Sequence, residues 1–372
     1  MILRIALIAT VAGLLFHNTI ADAATKKKSS TARTTNKKSV RKVPRVDPTE
    51  GDNIDGDDLV IRRAAVEALN GKVGSVVAVD ADTGRILTIV NQRLAYRSGF
   101  IPCSTVKLVT SLAALNEHVV ERNTFLYLGR YSSFNLTSAL AKSNNPYFAI
   151  LGNRLGFEKV KYYAQLLGLG EKAGLDIPDE QPGVIADDPP PGGVGLMCSF
   201  GEGIQLTPLE LAALMSAIAN GGTLYYLQYP RTQAEIDAFT PSVKRQLDMK
   251  ESIEDIKVGM RGAVDFGTAR RASNGGTEYI LGKTGTCTDF RSANHMGWFG
   301  SFTEVGRHRL VVVVMLIGGQ SVNGPVASGV AGAIYRQLGE QNYWASVAAS
   351  SKPKSNLPEI ITTMPTPNCC TQ

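Results

Sequence analysis

The sequence predicts an α+β fold: a mostly antiparallel five-stranded sheet flanked by helices, with a helical insertion between the second and third strands. Three observations lead there. Two β-branched runs, residues 73–80 and 86–90, flank the turn Asp82-Thr83-Gly84-Arg85 and read as an opening hairpin. Three further strand-like runs come only late in the chain, at 278–286, 296–302 and 309–317. Between these groups, and at both ends, apolar residues recur at helical spacing.

Taken in order, residues 62–69 form a short helix with Ala64, Ala65, Ala68 and Leu69 on one side. The hairpin follows, and then a buried helix over 104–115. Residues 138–155 and 157–169 are two more helical regions, the latter with Val160, Tyr163, Ala164 and Leu167 at helical spacing. Residues 176–203, rich in Pro and Gly, are predicted to be one long loop, which in a compact domain is more often functional than idle. Thr207-Pro208 caps a helix that ends at Asn220-Gly221-Gly222. Helices at 251–264 and 325–338 bracket the late strands.

Composition bounds the rest. Of 372 residues, 44% are apolar, enough for a sizeable core. Residues 1–23 read as a cleaved signal peptide: Arg4, an apolar run over 5–16, then Ala21-Asp22-Ala23. The run falls short of the roughly 20 residues that a comfortable membrane span needs. The protein is therefore expected to be exported, to the periplasm or the cell exterior. Residues 24–58 are predicted to be a disordered charged arm, with nine basic residues between Thr25 and Val46 and then Asp47, Glu50, Asp52, Asp55, Asp57 and Asp58. Residues 59–342 form the expected catalytic domain and 343–372 a flexible tail. The net charge of +6 sits largely in the arm, which could make weak contact with membrane or wall polymer. Without interleaved aromatics or a reading motif, it does not point to nucleic acid. Five cysteines, an odd number, leave at least one thiol unpaired within the chain. None has metal-ligand spacing with the four histidines, so no metal is expected.

The chemistry centres on Ser104 and Lys107, three residues apart in an apolar stretch, which a helix places on one face. A serine needs a base to take its proton, and a desolvated lysine can be that base. By themselves such pairs are common, and a capping Ser beside a snorkelling Lys explains most of them. Two later stretches supply partners. Ser143-Asn144-Asn145 precedes Pro146, where a simple helix cap would also be expected. Lys283-Thr284-Gly285-Thr286 ends an apolar strand, with a positive charge, two hydroxyls and a glycine against which a substrate backbone could lie.

Ser-x-x-Lys, Ser-x-Asn and Lys-Thr-Gly in this order resemble the signature of penicillin-binding proteins and serine β-lactamases. The surroundings are similar to the transpeptidase domain of the former: the hairpin with Asp82-Thr83-Gly84, the run from Gly201 to Gly222 with Thr207-Pro208, and Gly297-Trp298-Phe299-Gly300. The likeness spans about 73–338. It implies a penicillin-binding transpeptidase fold and a peptidoglycan D,D-transpeptidase that acts on D-Ala-D-Ala stem peptides, is acylated by β-lactam antibiotics and requires no cofactor. By the same resemblance Ser104 is the nucleophile, Lys107 its base and Ser143 the relay to the leaving amine. Asn145 holds the substrate amide and orients Lys107, and Lys283, Thr284 and Thr286 receive the terminal carboxylate. The N–H groups of Ser104 and Thr286 form the oxyanion hole. A β-lactamase or D,D-carboxypeptidase on the same fold is the alternative, although neither a water-activating Glu loop nor a Ser-x-Val motif is recognisable. A non-catalytic sensor of wall peptide or β-lactam is the rival of another class.

The chain departs from the family in three ways. Only 39 residues separate Ser104 from Ser143, which implies a trimmed helical lobe. The unit is expected to stand alone. Cys103 and Cys287 flank the motifs; each is read as an ordinary buried cysteine, with proximity to the site, and redox sensitivity, if the fold joins the motifs.

Overall fold

A computed structural model describes residues 47, 49–130, 132–175, 177–273, 279–288, 294–305 and 308–345. The expected signal peptide, the basic part of the arm and the tail beyond residue 345 lie outside them.

Strands β1 (Gly74–Asp80) and β2 (Arg85–Val90) form the hairpin, and β3 (Tyr279–Thr288), β4 (His295–Val305) and β5 (His308–Gly318) form the late block. They assemble in the order β2-β1-β5-β4-β3, each neighbour antiparallel to the next. The last strand thus returns to pair with the first, which closes the sheet across the helical insertion. The α+β prediction holds.

Both faces of this sheet are covered, which explains why β1 and β5 read as nearly continuous apolar runs. Val77, Val79, Val311, Val313 and Met315 point into one core; Val76, Ala78, Val312, Val314 and Leu316 point into another. The second core is closed by helices α1 (Leu59–Leu69) and α9 (Gly324–Glu340). The first holds the insertion: α2 (Lys107–Asn116), α3 (Leu136–Ala141), α4 (Asn145–Leu155), α5 (Phe157–Leu166), α6 (Gly193–Phe200), α7 (Pro208–Ala219) and α8 (Lys250–Asp265). Helix α7 begins as predicted. The Thr207 hydroxyl accepts from the Glu210 N–H and the Glu210 carboxylate accepts from the Thr207 N–H, a reciprocal cap with Pro208 in the first turn.

Three expectations change. The Pro-Gly stretch is not one loop, because Gly193–Phe200 is helical; Gly195, Met197, Cys198 and Ser199 are buried there, where the flanking prolines gave only turn signals. The helix predicted over 138–155 is broken at Lys142–Asn144. Asn144 accepts from the Tyr147 N–H at 2.9 Å and starts a new helix, with Pro146 in its first turn. The acidic end of the predicted arm is folded. Asp52 and Asp57 bind the buried Arg62 guanidinium at 2.8 and 2.9 Å, and Asp58 caps α1. At the other end Tyr343 is buried and donates to Asp58 at 2.8 Å, so the folded domain extends past both predicted limits.

Candidate active site

The nucleophile turn precedes α2. Residues Cys103–Val106 form a single 3-10 turn, a geometry that eclipses positions i and i+3. Ser104 and Lys107 therefore stack directly, and Lys107 Nζ lies 2.8 Å from Ser104 Oγ. The turn is entered through Cys103 at φ +52°, in the left-handed region that non-glycine residues seldom occupy.

Ser143 is placed by the break between α3 and α4. It too is left-handed, at φ +55°, with its N–H tied back to Leu140 O at 3.2 Å. That conformation directs both its carbonyl and its hydroxyl at Lys107 Nζ, at 2.9 and 3.0 Å. Asn145 Oδ1 is also bonded to Lys107 Nζ.

Lys283 comes from β3. Its Nζ donates to Ser143 Oγ at 2.9 Å and to Thr284 O at 2.9 Å. The Ser143 hydroxyl thus sits between two lysines, and with Ser104 the three motifs converge on one point from a turn, an inter-helix break and a strand.

The electrostatics follow from what is missing around the amines. Both lysines are fully buried, and their bonded partners are hydroxyls, carbonyls and an amide oxygen, none of them charged. Desolvation brings Lys107 down from 10.5 to about 7. Lys283 is pulled well below its ordinary value, first by desolvation and then by the charge of Lys107. The contacts on Lys107 are compatible with the neutral form. Ser143 O and Asn145 Oδ1 can only accept, so they take two N–H bonds. A neutral amine then has its lone pair left for a hydroxyl hydrogen, as from Ser104 Oγ.

Thr284 and Thr286 of β3 share a face but differ in exposure. Thr284 is buried, and its hydroxyl is bonded to the Thr268 hydroxyl. Thr286 is exposed; its oxygen accepts from the Gly324 N–H at 2.8 Å, which leaves its own hydrogen to donate outward. Gly285 has a different reason from the one its sequence suggested. A side chain there would lie 3.0 Å from Pro102 O and 3.2 Å from Thr105 Cγ2, so the glycine lets the strand close on the nucleophile turn. Trp298 on β4 braces the same turn, donating from Nε1 to Ile101 O at 3.1 Å.

Cys103 and Cys287 are joined in a disulfide, with Cα atoms 5.6 Å apart across 184 residues of sequence. Two separate buried thiols were expected; the fold instead lays the β3 edge beside the turn and brings the pair within bonding reach. Cys198 is a free, buried thiol, pushed up to about 12 by burial. Thr268 and Gly324 escaped the sequence reading because a loop threonine and a helix-start glycine carry no signal of their own. Among the described residues no cluster of His, Cys, Asp or Glu could hold a metal ion. Nor is any helix there long and apolar enough to cross a membrane.

A family model described as the penicillin binding protein transpeptidase domain matches residues 74–338. Stage V sporulation protein D of Bacillus subtilis is 30% identical over 281 residues, covering 67% of this chain and 43% of that protein. Peptidoglycan D,D-transpeptidase FtsI of Escherichia coli is 25% identical over 319 residues, covering 74% of this chain and 53% of that one. The chain spans well under two thirds of the length of these relatives. Among solved structures, a peptidoglycan glycosyltransferase from Burkholderia ambifaria superposes with a TM-score of 0.66 over 77% of this chain and 98% of its own, at 20% identity, a likeness of fold.

Proposed function

We infer the reaction from two facts: the chain belongs to the family of penicillin-binding protein transpeptidase domains, and its buried Lys107 amine lies 2.8 Å from the Ser104 hydroxyl with no carboxylate bonded to it. The second observation carries the chemistry. A lysine held near neutrality at ordinary pH is a base matched to a serine hydroxyl, whereas one paired with a carboxylate would stay protonated. The function supported best is that of a peptidoglycan D,D-transpeptidase.

In this reading Ser104 Oγ attacks the carbonyl carbon of the D-Ala-D-Ala peptide bond while its proton passes to Lys107 Nζ. The oxyanion is received by the N–H groups of Ser104 and Thr286, donors that act on charge developed in the transition state. Ser143 hands a proton to the leaving nitrogen and is resupplied from Lys107, the C–N bond breaks, and D-alanine departs. The ester on Ser104 is then attacked by the amine of a second stem peptide, and the serine recovers its proton. Asn145 holds the substrate amide as well as Lys107. The substrate carboxylate takes the outward hydroxyl of Thr286, with Thr284 behind it and the Lys283 amine inside the strand, whose protonated form an arriving anion favours. A β-lactam enters by the same attack. Because this substrate lies outside the cytoplasmic membrane, the protein is exported, and the expected signal peptide and basic arm serve that placement.

The test is acylation by a fluorescent penicillin followed over time. Wild-type protein should retain label on Ser104, and Ser104→Ala should take none. Equal labelling of the two, or none on wild type, removes the acyl-enzyme reading and leaves a non-catalytic binder. Label that is quickly lost with turnover would make the protein a β-lactamase. With label retained, release of D-alanine to water or to a D-amino-acid acceptor separates carboxypeptidase from transpeptidase.

A further inference from the structure

Cys103 immediately precedes the nucleophile, and Cys287 immediately follows the last residue of Lys283-Thr284-Gly285-Thr286. We propose that the Cys103–Cys287 disulfide is a positioning clamp for acyl transfer, fixing the separation of the two oxyanion donors on Ser104 and Thr286. The inference rests on the reading of the site given above.

Strand β3 is the edge of the sheet, paired on one side with β4. Its Lys283, Gly285 and Cys287 alternate onto one face. At Gly285 that face meets Pro102 and Thr105 of the nucleophile turn. The turn belongs to the helical insertion and the strand to the sheet edge, so the two donors come from different elements that meet along one seam of a shared core. An edge strand bonded to one neighbour shifts more easily than a central one. The disulfide crosses that seam one residue from each donor and holds the Cα atoms of its cysteines 5.6 Å apart. Cys103 is held meanwhile at φ +52°, an unfavourable conformation for a side-chain-bearing residue that needs over-determined surroundings to persist. Each feature adjusts the geometry of the reacting atoms. A bond placed for stability alone could lie anywhere along the seam.

Reduction tests this directly. Dithiothreitol exchanges with the bond: both cysteines gain hydrogen as thiols, and the reagent is oxidised to its cyclic disulfide. Intact-mass and peptide analysis must first show Cys103 linked to Cys287 in the untreated protein; finding them unlinked overturns the proposal. Reduced protein should then be acylated by fluorescent penicillin about tenfold to a hundredfold more slowly, since small misplacements of reacting groups cost rates of that order. The loss should fall in the limiting acylation rate, not in the penicillin concentration at half-saturation. Reoxidation should restore it. The double variant Cys103→Ala/Cys287→Ala should be slow from the start and unmoved by the reductant, which separates this bond from Cys369 and Cys370. Equal limiting rates before and after reduction, with a lowered melting temperature, would show a merely structural bond and sink the proposal. Failure of the oxidised protein to label at all is a different result: it refutes the acyl-enzyme reading and takes this inference down with it.

Discussion

The molecule buries cations in two places and treats them in opposite ways. Under β2, Arg62 meets two carboxylates. Burial pulls its pKa down, but the hydrogen bonds and charges of Asp52 and Asp57 outweigh it and hold the guanidinium above its usual value. Thr88 and Tyr229 complete the shell of Asp57. In the cleft, Lys107 and Lys283 meet only neutral oxygens, and both fall. Burial alone does not make a base. What decides is whether the protein also buries the counter-charge, and here it has spent its carboxylates on the arginine that anchors the amino-terminal segment.

The comparison can be broken from either side. Lys107→Met removes the base at similar side-chain length, and should lower the acylation rate about a thousandfold or more while costing less stability than a stranded buried charge. Arg62→Ala should do the reverse. It strands two buried carboxylates and should cost about 3–5 kcal/mol in denaturant unfolding, with an unchanged acylation rate in the folded protein. Equal damage to both readouts in either variant would erase the distinction. For wild type, the neutral lysine is the active form, so acylation should fall as pH drops through about 7, the value for Lys107. The decline should approach about tenfold per pH unit below it.

Glu210 is the mirror image of the lysines: a buried carboxylate that accepts from the N–H groups of Gly170 and Thr207 and is raised by burial from 4.5 to about 7. Between those values the folded chain holds more protons than the unfolded one, so its contribution to stability is full below 4.5 and lost as pH rises through about 7. Glu210→Gln should remove that dependence and, lacking one acceptor, cost about 1–3 kcal/mol at pH 8. The smallest effect belongs to exposed pairs. Asp265→Ala loses its bridge to Arg261 and should change stability by about 0.3–0.5 kcal/mol.

Much of this was legible in the sequence, for reasons that also mark the limit. The five strands show because β-branched runs bury two faces at once, and α7 shows because Thr207, Pro208 and Glu210 cap it locally. Ser104 and Lys107 are close in sequence, so spacing alone sets them together. Ser143 was found, but inside a predicted helix; its left-handed break is fixed by how Asn144 and Pro146 restart the chain. What went unread depends on distant partners. No local pattern ties Asp52 and Asp57 to Arg62 as a buried cluster, Thr268 to Thr284, or Cys103 to a residue 184 positions away.

The strand order has a consequence for exchange with solvent. Strand β5 lies at the centre of the sheet between β1 and β4, under both cores, so its amide hydrogens should be released to deuterium only when the whole domain opens. Strand β3 has one free edge, so its amides should exchange sooner than those of β5, within the limit set by its disulfide to the nucleophile turn. The wall that carries Lys283 and Thr286 is thus separated from the slowest-exchanging element by a single strand, β4.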